Sequence, residues 1–144
     1  HQKGVKIIVK VPLDSGWLSG KYDEFSEFEG IRSRWDDETI QRRAGLIREV
    51  KEITQADDLV KYAIGFVLSY PEVTAVIPGI KNLHQLKDLL AQKDFELPQE
   101  MKEKLVDLYQ KKIKDNPLYC AIKVTSLNPA NLANSDLYKP LASK

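Results

Sequence analysis

The residues with the clearest chemical potential stand at 75–85, AVIPGIKNLHQ. A β-branched stretch stops at Pro78 and Gly79 and passes, through Lys81, into a segment that opens with Asn82. Asparagine is a preferred helix N-cap, and a glutamine three positions on, Gln85, can reach back to the start of the same helix. The first N–H groups of a helix lack partners within it and carry partial positive charge, so such a turn suits an anion, and Lys81 adds a full charge. Judged locally, Lys81 serves equally as a solvated surface lysine, and Gln85 equally as the capping partner of Asn82. A second candidate is the stretch 12–22, PLDSGWLSGKY, whose two glycines and three short polar side chains favour an ordered loop over a regular element. Ser15 and Gly16 on their own read as turn formers. Arg32 and Arg34, next to Trp35, suit either an anion or ring stacking; a charged connection against a partly buried indole is the reading the local sequence favours.

Groups for covalent or metal chemistry are sparse. His1 and His84 are the only histidines and Cys120 is the only cysteine. No spacing of Cys and His suggests a closed zinc site, and His84 reads as a helix-surface residue.

These candidates need elements to hold them. Val5, Ile7, Ile8, Val9 and Val11 cluster before Pro12 and predict a buried strand over 5–11, and the run 73–77, VTAVI, predicts a second one. Between them, after a charged connection over 23–36, Ile40, Ala44, Ile47, Val50 and Ile53 recur at spacings of three and four, which predicts an amphipathic helix over 37–56. Arg42, Arg43, Arg48, Glu49 and Lys51 then fall on its other faces. A second helix over 58–69, with Asp57 as N-cap, is apolar nearly all round and should be mostly buried. Asn82 opens a third, with Leu83, Leu86, Leu89 and Leu90 as its inner stripe. Pro98 stands at the first position of a fourth, lined by Met101, Leu105, Leu108 and Ile113. This order indicates an α/β unit with parallel strands. After Lys114 the scattered Asn and Pro break all periodicity, dividing the chain into a globular part, 1–113, and a largely irregular tail, 114–144, in which Tyr119 and Tyr138 are pocket-lining candidates.

Composition narrows the class. With 144 residues and 42% hydrophobic content the chain holds one core. The 22 basic and 21 acidic side chains nearly cancel, so no broad field exists to attract nucleic acid, although a local anion site is compatible with that balance. No apolar run approaches the ~20 residues that span a bilayer. A lone cysteine fits a reducing, cytoplasmic setting. The opening HQKG lacks Met and runs directly into the first strand, so sequence is expected upstream.

Taken in order, the stretch 12–22, the helix ending at 63–71 in AIGFVLSYP and the turn after Val76 resemble the aldo-keto reductase family over roughly residues 5–110. The resemblance places the chain as the C-terminal portion of a (β/α)8 TIM barrel, with its last two strands and their helices. At 144 residues it is incomplete as an isolated barrel, since a whole one takes about 250 residues. It implies an NADP(H)-dependent oxidoreductase that reduces aldehyde or ketone carbonyls. By the same resemblance, Leu13, Ser15, Gly16 and Leu18, with Asp14 as a weaker candidate, face the pyrophosphate and adenosine ribose of the cofactor. Ile77, Gly79 and Lys81 face the 2′-phosphate, and Gln85 the adenine. The chain departs from the family in carrying Lys81 where arginine is common and Leu89 where asparagine usually stands. The tyrosine, lysine, aspartate and histidine that such an enzyme uses come from the first half of the barrel, so no catalytic residue is assigned and the chain alone is expected to be inactive. Its implied partners are a small carbonyl substrate and the missing N-terminal half, with self-association of the piece through exposed strand edges. The competing reading is a non-enzymatic binding or assembly module on the same scaffold.

Overall fold

The computed structural model of the chain describes residues 4–118. Two strands, β1 (Ile7–Lys10) and β2 (Val73–Ile77), pair in parallel, and four helices accompany them: α1 (Asp37–Thr54), α2 (Val60–Leu68), α3 (Leu83–Ala91) and α4 (Gln99–Lys112). The register sets Val9 beside Val76 and Lys10 beside Ile77, with an irregularity between Ile7 and Ile8. Because both strands end side by side and point the same way, the loops that follow them leave from one edge of the sheet. The periodic segments therefore form the helices and strands their patterns predict, within a few residues at each end. Tyr119, Tyr138, Cys120, His1 and nearly all of the tail 114–144 lie outside the described residues.

The core sits beside the sheet and not upon it. Trp17, Trp35, Ala44, Ile47 and Leu59 are buried together, with Leu18, Tyr22, Phe28, Ile40 and Val50 packed around them. Five ring pairs with centroids between 4.9 Å and 5.9 Å join Trp17, Tyr22, Phe28 and Trp35 in edge-on or tilted arrangements, each such pair contributing about 0.5–1.5 kcal/mol beyond its buried area. The connection 23–36 is thus more than a charged linker, because two of its aromatic residues, Phe28 and Trp35, close the cluster over the loop that follows β1. That loop winds into 3₁₀ turns, Asp14–Ser19, capped by Gly20.

Several local expectations give way. Asp57 does not cap α2: its side chain is exposed and pairs with Lys51 at 3.4 Å, while Asp58 Oδ1 accepts from Val60 N–H at 3.0 Å. Pro98 is the N-cap of α4, one place before its first helical residue. α2 is only partly covered, with Gly65 its one fully buried residue among those described. Both strands are likewise open, Ile8 at 60% and Ile77 at 59% exposure, and Leu83 and Leu90 on α3 face solvent. One cause unites the exposed apolar residues: among the described residues the sheet has two strands only, without neighbouring strands and helices to cover its apolar faces. Arg43 errs in the opposite direction. It is 1% exposed, inside the core and not on the solvent side of α1.

Candidate functional site

The loops after β1 and β2 converge on a groove of about 450 Å³. Val11, Pro12, Leu13, Ser15, Gly16, Ser19, Lys21 and Tyr22 come from the first loop. Ile77, at the end of β2, then Pro78, Gly79, Ile80, Lys81 and Gln85 line the facing side, with Lys10 and Arg32 completing it. Of the residues singled out in sequence, Leu13, Ser15, Gly16, Ile77, Gly79, Lys81 and Gln85 all stand here. Leu18 does not. Its side chain packs with the core and lines a separate apolar groove of about 230 Å³ with Val50, Leu59 and Phe66. Asp14 is turned away as well, its carboxylate accepting from Arg43 Nη1.

The first loop takes its shape from unusual backbone. Val11, Asp14 and Ser15 have φ of 58°, 44° and 58°, and Gly16 follows at 100°. Left-handed conformations disfavour every L-residue, and a β-branched valine most of all, so neighbouring contacts must hold the turn. Gly16 N–H donates to Leu13 O at 2.8 Å, and Ser19 Oγ to Gly16 O at 2.6 Å. A Cβ at Gly16 would lie 3.2 Å from the Tyr22 ring, so this position takes glycine on two counts, its φ and its neighbour.

The second loop ends in a capped helix. Asn82 Oδ1 accepts from Gln85 N–H at 2.9 Å, as the spacing predicts. Gln85 Oε1 accepts from Lys81 N–H at 2.8 Å, one residue earlier than the N-cap itself. The reciprocal bond therefore ties Gln85 to Lys81, which lines the groove with it.

The groove has one sign of charge. Lys10, Lys21, Arg32 and Lys81 line it, and among the described residues no Asp or Glu does, in a chain whose net charge is only +1. From sequence, Lys81 stands out as an anion ligand, while Arg32 suits an anion or a ring only as an alternative to a charged connection. Lys10 is hidden within a strand pattern and Lys21 within a loop motif. The structure gives Arg32 a hydrogen bond from Nη1 to the Tyr22 hydroxyl at 3.2 Å as well as a place over that ring. A smaller pocket of about 130 Å³ adjoins the groove across Leu13, Ser19, Pro78, Gly79, Ile80 and Gln85, and is closed by Asp58, Asp88, Leu89 and Gln92. His84 is exposed on α3 and pairs with Asp88 at 2.6 Å, outside both cavities. Among the described residues no group of His, Cys, Asp and Glu is placed to hold a metal ion. No helix there is long and apolar enough to cross a membrane.

The model of the aldo/keto reductase family matches residues 1–110. The chain belongs to the aldo/keto reductase family. That family is one of oxidoreductases on a TIM barrel that generally use NAD(P)H, and the parallel β1–β2 pair with its helices is consistent with such an α/β architecture. No relative among the curated proteins matches the chain. The residues of the aldo/keto reductase groove fit a phosphorylated dinucleotide: cations, a strained loop lined by small residues, and a side pocket with carboxylate and amide acceptors suited to a base bearing N–H donors.

Proposed function

We propose that this chain is the C-terminal, cofactor-binding part of an NADP(H)-dependent aldo-keto reductase acting on aldehyde or ketone carbonyls, with β1 and β2 as the last two strands of the barrel. The observation that carries the proposal is the convergence of the two loops on one groove that, among the described residues, is lined by four cations and no carboxylate. Clefts lined by one sign of charge concentrate ligands of the other sign, and an array of cations in a near-neutral chain calls for a ligand with more than one phosphate. On this reading the strained loop, through Leu13, Ser15 and Gly16, faces the pyrophosphate. Lys81 meets the 2′-phosphate and Gln85 the adenine side, with Leu89 leaving the base to its other neighbours. A lysine here attracts the phosphate as a point charge, with less geometric selection than arginine's planar fork would exert. The bound nicotinamide would supply hydride. The proton and the positioning of the carbonyl would come from upstream barrel residues, so the chain alone binds cofactor without turning over substrate.

Equilibrium titration of the chain with NADPH and NADH, for wild type and Lys81→Ala, tests this. A charge-assisted contact is worth about 1.5–3 kcal/mol, so NADPH affinity should fall roughly 10- to 100-fold while NADH affinity stays put. Wild type binding neither nucleotide, or losing neither or both equally on substitution, would overturn the assignment of Lys81 to the 2′-phosphate. Carbonyl reduction by the chain alone would overturn the division of labour.

A further inference from the structure

Asp14 and Ser15 lie in the left-handed region with Gly16 after them, and two non-glycine residues held there cost of order 1–3 kcal/mol each unless the surroundings fix them. Leu13, Ser15 and Gly16 line the groove, while the intervening Asp14 points its carboxylate the other way, onto Arg43 Nη1. Arg43 is a firm anchor. It rises from α1, and its guanidinium lies 5.9 Å from the centre of Trp17 and 5.1 Å from that of Trp35. Among the described residues nothing accepts from its Nε or Nη2. Asp14 itself is 33% exposed, so its charge, one residue from the groove wall, would act on any bound anion if Arg43 did not neutralise it.

We infer that Arg43 is a positioning residue for the anion groove: through its ion pair it pins the left-handed run at 14–16 in the shape that lines the groove, and it cancels a carboxylate that would otherwise repel phosphate. The affinity arm of the test rests on the dinucleotide reading; the backbone arm does not. Affinities for NADPH and NADH should be measured for Arg43→Gln, Arg43→Lys and the double variant Arg43→Gln with Asp14→Asn. Melting temperatures and hydrogen exchange of the amides at 13–20 are followed in parallel. Arg43→Gln should weaken both dinucleotides by roughly tenfold and to the same extent, because the pyrophosphate is common to them. It should also speed exchange in the loop. Arg43→Lys should keep most of the affinity, and the double variant should bind more tightly than Arg43→Gln, because the unmasked carboxylate is gone. A merely structural role would lower the melting temperature without that recovery. Unchanged affinity in a folded Arg43→Gln chain, or a double variant no better than the single, overturns the inference. If wild type binds neither dinucleotide, the cofactor reading falls and the exchange data decide the pin, with unchanged protection in Arg43→Gln overturning it. Should Arg43→Gln not fold, Asp14→Asn takes its place, with faster loop exchange expected and unchanged exchange overturning the pin.

Discussion

Gly20 shows how little freedom a single position has where the groove loop meets the rest of the chain. Its φ is +78°, and a Cβ there would stand 1.9 Å from the carbonyl oxygen of Asp57, a backbone atom that cannot swing aside as a side chain would. Gly20→Ala must therefore either unwind the cap of the 3₁₀ turns or push apart the groove loop and the approach to α2. The combined conformational and steric cost is about 2–4 kcal/mol, read as a loss of unfolding free energy in denaturant. Ser19, next to it, lines both the groove and its side pocket, so dinucleotide affinity should fall with stability in this variant. Lys81→Ala contrasts with it, since an exposed side chain is removed and stability should hold. A Gly20→Ala chain as stable as wild type would mean that the loop and the α2 entry are not held as closely as the structure has them.

Asn82 belongs to the element scale because its effect is felt along α3 and, through the loop, at the groove. Its side chain satisfies Gln85 N–H, and Gln85 in turn holds Lys81 N–H. Asn82→Ala should destabilise the chain by about 1 kcal/mol and weaken NADPH binding further than a helix cap alone accounts for, because Lys81 loses the far end of that relay. Denaturation and titration of the same variant check both halves, and a cap loss with undiminished affinity would separate Lys81 from the relay. This cap was legible in the sequence because it is local: Asn82 and Gln85 bond within one helical turn. So were α1, from the three-and-four recurrence of Ile40, Ala44, Ile47 and Val50, and the parallel strands from their β-branched runs. What was not legible depends on contacts distant in the chain. Arg43 looks solvated in α1 until Asp14 and the two tryptophans, 29 residues away in the case of Asp14, are brought to it. Lys10, Lys21 and Arg32 share a groove only after the loops fold over one another. The side chain of Leu18 lies apart from the groove for the same reason: a motif fixes its place in the chain, while the hydrophobic cluster around Trp17 decides which way it turns.

At the scale of the whole molecule, the described residues form a sheet of only two strands. β1 and β2 pair with each other, and among the described residues no further strand pairs with the outer edge of either. Parallel sheets are normally covered on both faces, yet Ile8 and Ile77 are open to solvent here. Lys6 and Lys10 flank the apolar centre of β1, a placement that tempers edge-to-edge pairing without abolishing it. Two kinds of partner fit such a surface: the remaining strands of a barrel, and a second copy of this chain. On the proposed reading of the chain as part of a barrel, the second is expected for the chain by itself, which should sediment as dimers or larger species at micromolar concentration. Replacing Ile8 and Ile77 together by lysine removes no core contact, since both side chains are exposed, and should shift the population to monomer with little change in stability. Co-expression with the upstream barrel should have the same dispersing effect on the unmodified chain, because barrel strands satisfy the edges in register while a second copy can only approximate it. A wild-type chain that stays monomeric in sedimentation, with β1 and β2 amides well protected from exchange, would show that the pair is covered from within. The edge argument would then fail even though the groove and its cations remained.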